Sequence, residues 1–420
     1  MKFKIITLGC KVNTYESNVI RDSLLNNNYV EDDNADIYII NTCTVTNTSD
    51  NKSLKEIRRV RRENPNSIIV VCGCMTQVRD DIDSIDADII IGNSNKSNIV
   101  SLLEKYISDN KKIVLIDNIM KSNFEHMVLN NFNRTRAFVK IEDGCENFCS
   151  YCIIPYARGK VRSKEPNIVL DEVKTLVNGG HKEIVLTGIH TGHYGADLDS
   201  YTFAMLLSEL VKIDGLERIR ISSIEMNEIN DEVLKIIKNN KKIVSHIHIP
   251  LQSGSNEILK LMNRKYLKED FINKIKELRN IRPDISITTD IIVGFPGETE
   301  ELFNETLDTV NKIRFSKIHV FPFSLRKGTK AEELPNHIDD VTKKNRVKIL
   351  IEKSKELEIE YMNKFLGKKV VFIPEVYRDG YLIGHTGNYL LIKYKGNEEL
   401  LHKDVEVLLD NIEYPYINAK

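Results

Sequence analysis

The stretch Asp143-Gly144-Cys145-Glu146-Asn147-Phe148-Cys149-Ser150-Tyr151-Cys152 carries three cysteines, separated first by three residues and then by two. A fourth cysteine does not follow nearby. An iron–sulfur cluster with four irons binds four ligands, so a loop that supplies three thiolates leaves one iron open to another ligand. Structural zinc sites instead use paired Cys-x-x-Cys arms and close at four ligands. The spacing therefore favours a 4Fe-4S cluster with one open iron over zinc.

Six strand–helix units surround this stretch. In a parallel sheet each strand is followed along the chain by a helix that packs on a face of the sheet. The alternation of strands and helices therefore predicts a parallel sheet covered by helices on both faces. Six units predict a partial (βα)6 barrel, in which ligands bind at the carboxyl ends of the strands, where the cysteines lie. The predicted strands are Ala137–Ile141, Glu183–Leu186, Arg218–Ile221, His246–Ile249, Ser286–Ile292 and Lys317–Phe321.

The N-terminal part of the chain also alternates strand and helix, which predicts a separate parallel-sheet βα domain over residues 1–115. The predicted strands are Lys4–Leu8, Ile37–Ile40, Ile68–Val71, Ile89–Ile91 and Ile113–Leu115. The predicted helices are Tyr15–Leu25, Ser53–Arg62 and Ile99–Ile107.

The remaining segments complete a three-domain organisation of the α/β class. Residues 116–134 are polar and rich in asparagine, so we interpret them as a linker. The barrel and a trailing helix from about Asp340 to Phe365 occupy residues 135–362 and a little beyond. Short β-prone runs separated by Gly, Asn and Asp then predict a small antiparallel β-barrel over residues 364–420.

Composition narrows the class of protein. The 420 residues are 41% hydrophobic and 29% charged, and the formal net charge is -1, so overall charge predicts neither nucleic-acid nor membrane binding. The N-terminal apolar stretch is too short for a signal peptide, and no other segment is long enough to cross a bilayer. We therefore expect a cytoplasmic protein, in which seven cysteines indicate metal binding or catalysis rather than disulfides.

A second set of cysteines is scattered along the N-terminal domain. Cys10, Cys43 and Cys74 each come just after a predicted strand, in a polar or glycine-containing turn. Loops at one edge of a parallel sheet can meet at a switch point, which would form a second metal site. Three inert core thiols are the alternative. Cys72 lies inside an apolar run and fits a buried thiol better, although it could serve as a spare ligand.

Taken together, these features resemble the radical S-adenosylmethionine methylthiotransferase family. The three N-terminal cysteine loops, the barrel with its cysteine stretch and the small C-terminal barrel (the TRAM domain) occur in the family's order over nearly the whole chain. The resemblance implies S-adenosylmethionine and two 4Fe-4S clusters as cofactors. The first cluster, on Cys145, Cys149 and Cys152, would cleave S-adenosylmethionine to a 5′-deoxyadenosyl radical. Cys10, Cys43 and Cys74 would hold the second, which takes part in delivering sulfur.

The same resemblance implies cofactor contacts at later strand ends. The run from Gly179 to Gly188 is similar to the segment that contacts the amino and ribose groups, which suggests Glu183 and Thr187. The run from Thr289 to Glu298 is similar to the adenine-side turn, which suggests Gly294. Gln252 ends the fourth strand with a polar side chain that could reach the pocket.

Three short runs resemble one branch of the family, which acts on N6-threonylcarbamoyladenosine at position 37 of tRNA. The runs are Asn41 to Asn47, Gly188 to Gly195 and Arg220 to Glu225. The implied reaction is methylthiolation of adenine C2, with two S-adenosylmethionine molecules consumed. Other branches, which modify isopentenyladenosine in tRNA or an aspartate of a ribosomal protein, stay open. So do a non-catalytic iron–sulfur RNA-binding protein and a zinc-bearing one.

One helix offers a basic face for tRNA. Lys55, Arg58, Arg59 and Arg62 line up at helical spacing, close in sequence to the Cys43 loop, and could contact phosphates. A solvated surface helix is the alternative. From Lys364 to Lys420, eight basic residues balance eight acidic ones, so RNA binding by the C-terminal barrel is implied by resemblance alone. The expected partners are tRNA, a flavodoxin- or ferredoxin-like electron donor and a sulfur source.

Overall fold

The computed structural model describes residues 1–132 and 135–420, so the last two residues of the predicted linker lie outside the described part. The strands are β1 Lys2–Thr7, β2 Val30–Glu31, β3 Ile37–Thr42, β4 Ile68–Gly73, β5 Ile89–Ile91, β6 Ile113–Leu115, β7 Arg136–Lys140, β8 Glu142–Asp143, β9 Arg162–Ser163, β10 Glu183–Thr187, β11 Arg218–Ile221, β12 His246–His248, β13 Ser286–Val293, β14 Lys317–Pro322, β15 Lys369–Arg378, β16 Tyr381–Thr386, β17 Leu391–Lys395, β18 Val405–Glu413 and β19 Tyr416–Ala419.

The α-helices are α1 Lys11–Asn26, α2 Asn47–Glu63, α3 Cys74–Val78, α4 Ile99–Asp109, α5 Ile154–Arg158, α6 Pro166–Asn178, α7 Phe203–Leu210, α8 Asp231–Asn239, α9 Asn256–Leu261, α10 Lys268–Ile281, α11 Glu300–Ile313 and α12 Asp340–Asn363. Among the described residues, no helix combines the length and the apolar character that crossing a membrane requires.

The N-terminal domain is a parallel sheet in the order β2-β1-β3-β4-β5-β6. All six residues of β3 are buried, because α1 and α4 cover one face of the sheet and α2 and α3 cover the other. The chain first adds β2 beside β1 and then crosses to β3 on the other side. The switch point therefore lies between β1 and β3, where ligand-binding loops of such sheets meet.

The central domain contains the six predicted strands, in chain order and all parallel. They form two three-stranded sheets, β7-β10-β11 and β12-β13-β14. Single bridges join the sheets between Ile219 and Ile243 and between Ser223 and His248. Alternate residues face the helices and form the core, while the others face the concave side, called here the barrel interior.

The C-terminal domain closes one end of the barrel interior with Tyr389. The Tyr389 ring stacks on His246 with ring centroids 4.7 Å apart. It also lies 5.3 Å from the guanidinium of Arg136 and 4.8 Å from that of Arg220. Arg136 and His246 begin their strands, so this plug lies at the amino ends and leaves the carboxyl ends, with the cysteine loop, open.

The C-terminal domain itself is a closed barrel in the order β15-β16-β17-β19-β18. The prediction of a small barrel is confirmed with one difference, since β17 and β19 pair in parallel and the other four pairs are antiparallel. The reason is geometric. Strand direction cannot alternate all the way round a closed ring of five, so at least one pair must be parallel.

Several boundaries also differ from the predicted ones. Helix α1 begins at Lys11, directly after Cys10, and α2 begins at Asn47, because the Thr46 hydroxyl caps it by accepting a hydrogen bond from the Ser49 amide at 3.1 Å. The two-residue strands β2, β8 and β9 were not predicted, since so short a run has no periodicity to read.

Candidate active site: two cysteine loops around one cavity

The loop that carries Cys145, Cys149 and Cys152 follows β7 at the open end of the barrel interior. Backbone hydrogen bonds fix both its ends: the Cys145 amide donates to Gly159 at 3.0 Å and the Cys152 amide to Cys149 at 2.9 Å. Gly144 has φ +92°, and a Cβ there would lie 1.8 Å from the carbonyl oxygen of Lys160. Only glycine fits that position, so the sequence itself sets the loop's path.

The spacing of the sulfurs bears on which metal group fits. Two groups of side chains in the described chain bring three ligand atoms all within 4.8 Å of one another, His190–His193–Glu228 and His248–Asp290–His319, and neither cysteine triplet meets that spacing. A tetrahedral zinc with bonds of about 2.3 Å would need sulfurs about 3.8 Å apart. In a 4Fe-4S cluster each thiolate binds a different iron, so wider spacing fits the cluster.

The thiols of this loop have polar neighbours that suit a thiolate. Arg264 Nη1 donates to Cys149 Sγ at 3.4 Å, and His190 Nδ1 lies 3.8 Å from Cys145 Sγ. Burial raises the pKa of Cys145 and raises the pKa of Cys152 to about 12, so these two sulfurs carry protons until a metal group displaces them.

The second triplet meets at the switch point of the N-terminal sheet. Cys10 caps α1, Cys43 follows β3 and Cys74 begins α3. A Cβ on Gly9 would lie 2.8 Å from the Cys43 Cβ, so the first two loops are in contact. Asn13 joins them, because its Nδ2 donates to the carbonyl oxygens of Leu8 at 2.8 Å and Thr42 at 2.9 Å.

Cys74 and Cys72 differ in their surroundings, although only one residue separates them. Cys74 Sγ accepts hydrogen bonds from Arg158 Nε at 3.3 Å and from Asn93 Nδ2 at 3.4 Å. Cys72 lies inside β4, fully buried in the apolar core, and burial raises its pKa to about 12. Cys74 thus has polar neighbours that suit a metal ligand, whereas Cys72 is a packed thiol.

A buried network of charges lies between the two cysteine loops. Arg158, fully buried, donates from Nη1 to Asp143 at 3.1 Å and from Nη2 to Asn13 at 2.6 Å and Glu16 at 3.2 Å. Lys140 pairs with Glu16 at 2.8 Å and with Asp143 at 2.6 Å, and Lys96 also pairs with Glu16. Burial alone raises the pKa of Asp143, but Arg158 and Lys140 outweigh it and lower that pKa.

A cavity of about 190 Å³ opens between the two loops. Cys152 and the following Ile153 and Ile154 line one side, and Val45 and Thr46, just after Cys43, line another. Gln252, Asp290, Ile292 and Phe321 line the side formed by the carboxyl ends of the barrel strands. Polar groups in a mostly apolar cleft are typical of a cofactor site.

The four predicted cofactor contacts lie in different places. Gln252 lines the cavity, and Thr187 is buried at the carboxyl end of β10. Glu183 lies at the amino end of β10, about 13 Å along the strand, and accepts a hydrogen bond from Arg220 Nε at 2.8 Å. Gly294 follows β13, and its amide donates to Glu298 Oε1 at 2.7 Å. Gln252 thus lies at the cavity, whereas Glu183 lies at the opposite end of the barrel interior, which Tyr389 closes.

The predicted RNA-binding helix is α2. Lys55, Arg58 and Arg62 are exposed on it. Arg59 pairs with Glu56 and, at 2.8 Å, with Glu63, so its charge is largely offset within the helix. The exposed basic face of α2 thus comprises three of the four predicted residues.

Sequence reasoning missed the residues that hold the cysteines in place: Asn13, Asn93, Arg158 and Arg264. The run from Arg158 to Lys164 contains four cations, and three of them, Arg158, Arg162 and Lys164, are buried. The one available indication was the position of two carboxylates beside cysteines: Glu16 lies six residues after Cys10, and Asp143 lies two residues before Cys145.

Comparison with known proteins identifies the family. The family model for the radical SAM superfamily matches residues 139–310, and one described as uncharacterized protein family UPF0004 matches residues 2–92. The chain is 44% identical over 98% of its length, and 94% of the relative's, to the threonylcarbamoyladenosine tRNA methylthiotransferase MtaB of Bacillus subtilis. The chain belongs to the radical S-adenosylmethionine methylthiotransferase family. The predicted family is confirmed, and the cofactors of this methylthiotransferase are S-adenosylmethionine and 4Fe-4S clusters.

Other relatives show how the family divides. The methylthiotransferase is 40% identical to the enzyme of the same name from Thermotoga maritima, over 94% of this chain and 91% of the relative. It is 36% identical to a tRNA-2-methylthio-N(6)-dimethylallyladenosine synthase of Pelotomaculum thermopropionicum, over 97% of this chain and 94% of the relative. A solved structure of the radical S-adenosylmethionine methyltransferase TsrM from Kitasatospora setae, with cobalamin and a [4Fe-4S] cluster bound, shares the fold at TM-score 0.58 and 14% identity, covering 79% of this chain and 73% of that one.

Proposed function

We propose that this methylthiotransferase modifies C2 of N6-threonylcarbamoyladenosine at position 37 of tRNA, giving 2-methylthio-N6-threonylcarbamoyladenosine. The observation that carries the proposal is the cavity between the two cysteine loops, which borders Cys152 on one side and the residues after Cys43 on another. A nucleobase in that cavity would be within reach of both. The threonylcarbamoyladenosine enzymes from Bacillus subtilis and Thermotoga maritima, at 44% and 40% identity, support this choice of nucleoside.

Each cysteine triplet would hold one cluster, Cys145, Cys149 and Cys152 the first and Cys10, Cys43 and Cys74 the second. When bound, the clusters and S-adenosylmethionine supply the radical that removes hydrogen from carbon and the sulfur and methyl group that replace it. In the proposed reaction the C2–H bond would break, with the hydrogen leaving in 5′-deoxyadenosine, and a C2–S bond would form to a sulfur methylated by a second S-adenosylmethionine. The one electron released when the C2–S bond forms would return to the group that delivers the sulfur. A reductant of the flavodoxin or ferredoxin type would supply the electron, and a separate sulfur source would renew the sulfur.

The chain's own residues position these groups. Arg264 donates to Cys149, and Arg158 and Asn93 donate to Cys74, so each triplet has a cation that stabilises thiolate charge. Gln252 offers hydrogen bonds to a cofactor in the cavity, and Ile292 and Phe321 present apolar surface that excludes water from it. Thr187 and Gly294 remain predicted cofactor contacts at neighbouring strand ends.

Lys55, Arg58 and Arg62 on α2 would contact the phosphates of the anticodon stem. Helix α2 begins four residues after Cys43, so its first turn follows the cavity-lining residues Val45 and Thr46 directly. We place the reaction in the cytoplasm, where tRNA is available.

A second nucleoside remains an alternative because several relatives are tRNA-2-methylthio-N(6)-dimethylallyladenosine synthases, among them the one at 36% identity. Mass spectrometry of tRNA nucleosides separates the two, in a host that lacks its own enzyme and expresses either this chain or its Cys149→Ala variant. Appearance of 2-methylthio-N6-threonylcarbamoyladenosine with the native chain alone supports the proposal. Methylthio-isopentenyladenosine would move the enzyme to the other branch, and no methylthio nucleoside would point to a ribosomal protein substrate or to an RNA-binding protein without turnover.

A further inference from the structure

The side chain of Lys11 crosses from the N-terminal domain to the open end of the barrel interior. Lys11 is the first residue of α1 and follows Cys10 directly. Its Nζ donates to the Ser222 hydroxyl at 3.1 Å, and Ser222 comes immediately after β11. Lys11 remains accessible to solvent in this position. Its ammonium therefore lies between the second cysteine triplet and the carboxyl ends of the barrel strands.

The other cations of the barrel interior already have acidic partners. Arg136 pairs with Glu375 at 2.9 Å, Arg220 with Glu183 at 2.8 Å, and Lys317 with Glu358 at 3.0 Å. Within residues 1–132 and 135–420, the partner of the Lys11 ammonium is the neutral Ser222 hydroxyl.

Charged side chains surround the Lys11 ammonium, and they bear on which ligand could bind there. Arg136 and Arg220 are near enough to repel its ammonium, and Asp290 is near enough to attract it. Asp290 in turn lies 3.4 Å from His248 Nε2. Arg220 is 2% exposed and its Nη2 has no hydrogen-bond partner among the described residues. An apolar ligand placed here would desolvate the Lys11 ammonium without compensation, whereas an anion would pair with it.

The candidate nucleosides differ in this property. A threonylcarbamoyl group on N6 of adenosine ends in a carboxylate, and an isopentenyl group carries no charge. In adenine, C6, which bears the substituent, is separated from C2 by N1 alone. An anchor for the N6 substituent therefore also fixes the position of C2.

We propose that Lys11, with Ser222 beside it, binds the carboxylate of the threonylcarbamoyl group of the target adenosine. The inference rests on the proposed function and adds to it the residues that select the nucleoside. Lys11 forms the ion pair and Ser222 holds the ammonium on the barrel side. Arg220 adds positive potential from the end of the barrel interior that Tyr389 closes. The site accepts an N6 substituent with a free carboxylate and disfavours an apolar one.

Two anticodon stem-loop RNAs test this, identical except at position 37. One carries threonylcarbamoyladenosine and the other its carboxamide, in which the carboxylate becomes a neutral amide of the same shape. An ion pair of this kind predicts that the native enzyme prefers the carboxylate RNA by about 10- to 100-fold in kcat/KM. Lys11→Met should lower kcat/KM for that RNA by a similar factor and bring the two RNAs close together. Lys11→Arg should retain part of the preference.

Controls separate this role from others that Lys11 could have. Formation of 5′-deoxyadenosine without RNA, together with iron content, should be the same for Lys11→Met and the native enzyme. Lys55→Met is the matched control, because it removes the same charge from the proposed phosphate-binding helix and should weaken both RNAs equally. If Lys11→Met loses iron, the test rests on the native enzyme alone: the ratio of its kcat/KM values for the two RNAs then decides whether a carboxylate site exists.

Two results would overturn the inference. One is equal rates of the native enzyme on both RNAs, and the other is an equal loss on both in an iron-replete Lys11→Met enzyme. If the native enzyme forms methylthio product from neither RNA, the proposed function itself is overturned, and the carboxylate site with it.

Discussion

Replacing Arg158 by Met should destabilise the fold and weaken the second cysteine site together. Arg158 is fully buried, and its guanidinium contacts Glu16, Asp143, Asn13 and Cys74. Methionine fills the space of the arginine's aliphatic stem, so the substitution removes the guanidinium with its charge and hydrogen bonds and keeps the apolar packing of the stem.

The expected loss in the free energy of unfolding depends on the charges that remain after Arg158 is removed. Removing one partner of a buried ion pair costs about 3–5 kcal/mol, because the other charge is left unpaired in the interior. Here Lys140 still pairs with both Glu16 and Asp143, and Lys96 still pairs with Glu16. Arg162 also stays within 3.7 Å of Asp143, so three cations then face two carboxylates, and we expect a loss at the lower end, about 3 kcal/mol. Arg158 is the cation of this network that donates to Cys74 Sγ, so its loss should also destabilise a Cys74 thiolate.

Urea unfolding of the iron-free protein measures the first effect, and iron content after anaerobic reconstitution measures the second. Arg158→Lys should recover part of both, since it keeps the charge and loses the forked geometry. Arg59→Met is the matched control: it also removes an arginine with two carboxylate partners, but on the surface of α2, where about 0.5–1 kcal/mol is expected. A free energy of unfolding and an iron content of Arg158→Met equal to those of the native protein would refute the reasoning.

Three further outcomes are expected. Cys149→Ala should abolish reductive cleavage of S-adenosylmethionine, measured as 5′-deoxyadenosine, and full cleavage would remove this loop from the chemistry. Alanine at Cys10, Cys43 and Cys74 together should spare that cleavage and stop methylthio transfer, so unchanged product would exclude the second triplet. Burial raises the pKa of Glu375, but His385 and Arg136 outweigh it and lower that pKa, so the stability this carboxylate contributes is complete above about pH 4.3 and is lost as the pH falls through its lowered value. Glu375→Gln should remove that part of the acid dependence of unfolding, and an unaltered pH profile would contradict it.

Much of the fold could be predicted because it depends on local patterns. Buried β-branched runs such as Ile37–Ile40 and Ile68–Val71 are strands whatever surrounds them, and their alternation with helices implies parallel pairing. The meeting of Cys10, Cys43 and Cys74 also follows, since parallel strands end at one edge and the chain reverses between β1 and β3. These inferences need only the order of elements along the chain.

Inferences that depend on which end or face a side chain occupies were less secure. Glu183 and Thr187 belong to one short strand, but the structure directs the first toward Arg220 at the plugged end and leaves the second near the cysteines. Arg59 has the helical spacing of an RNA-binding face, yet Glu56 and Glu63 occupy its guanidinium. Both outcomes depend on long-range or competing partners, which periodicity does not record.

The buried charges also explain how a sequence can hold two cofactor sites at a fixed separation. Each triplet belongs to a different domain, and an apolar contact alone would tolerate sliding, because hydrophobic burial has no direction. Arg158 follows the first triplet in sequence and donates to the second, while Glu16 on α1 accepts from Lys140 on β7. Hydrogen bonds between ions require specific distances and angles. A shift of one domain by an ångström or two would leave several buried charges unpaired, so the network sets the width of the cavity between the two cysteine loops.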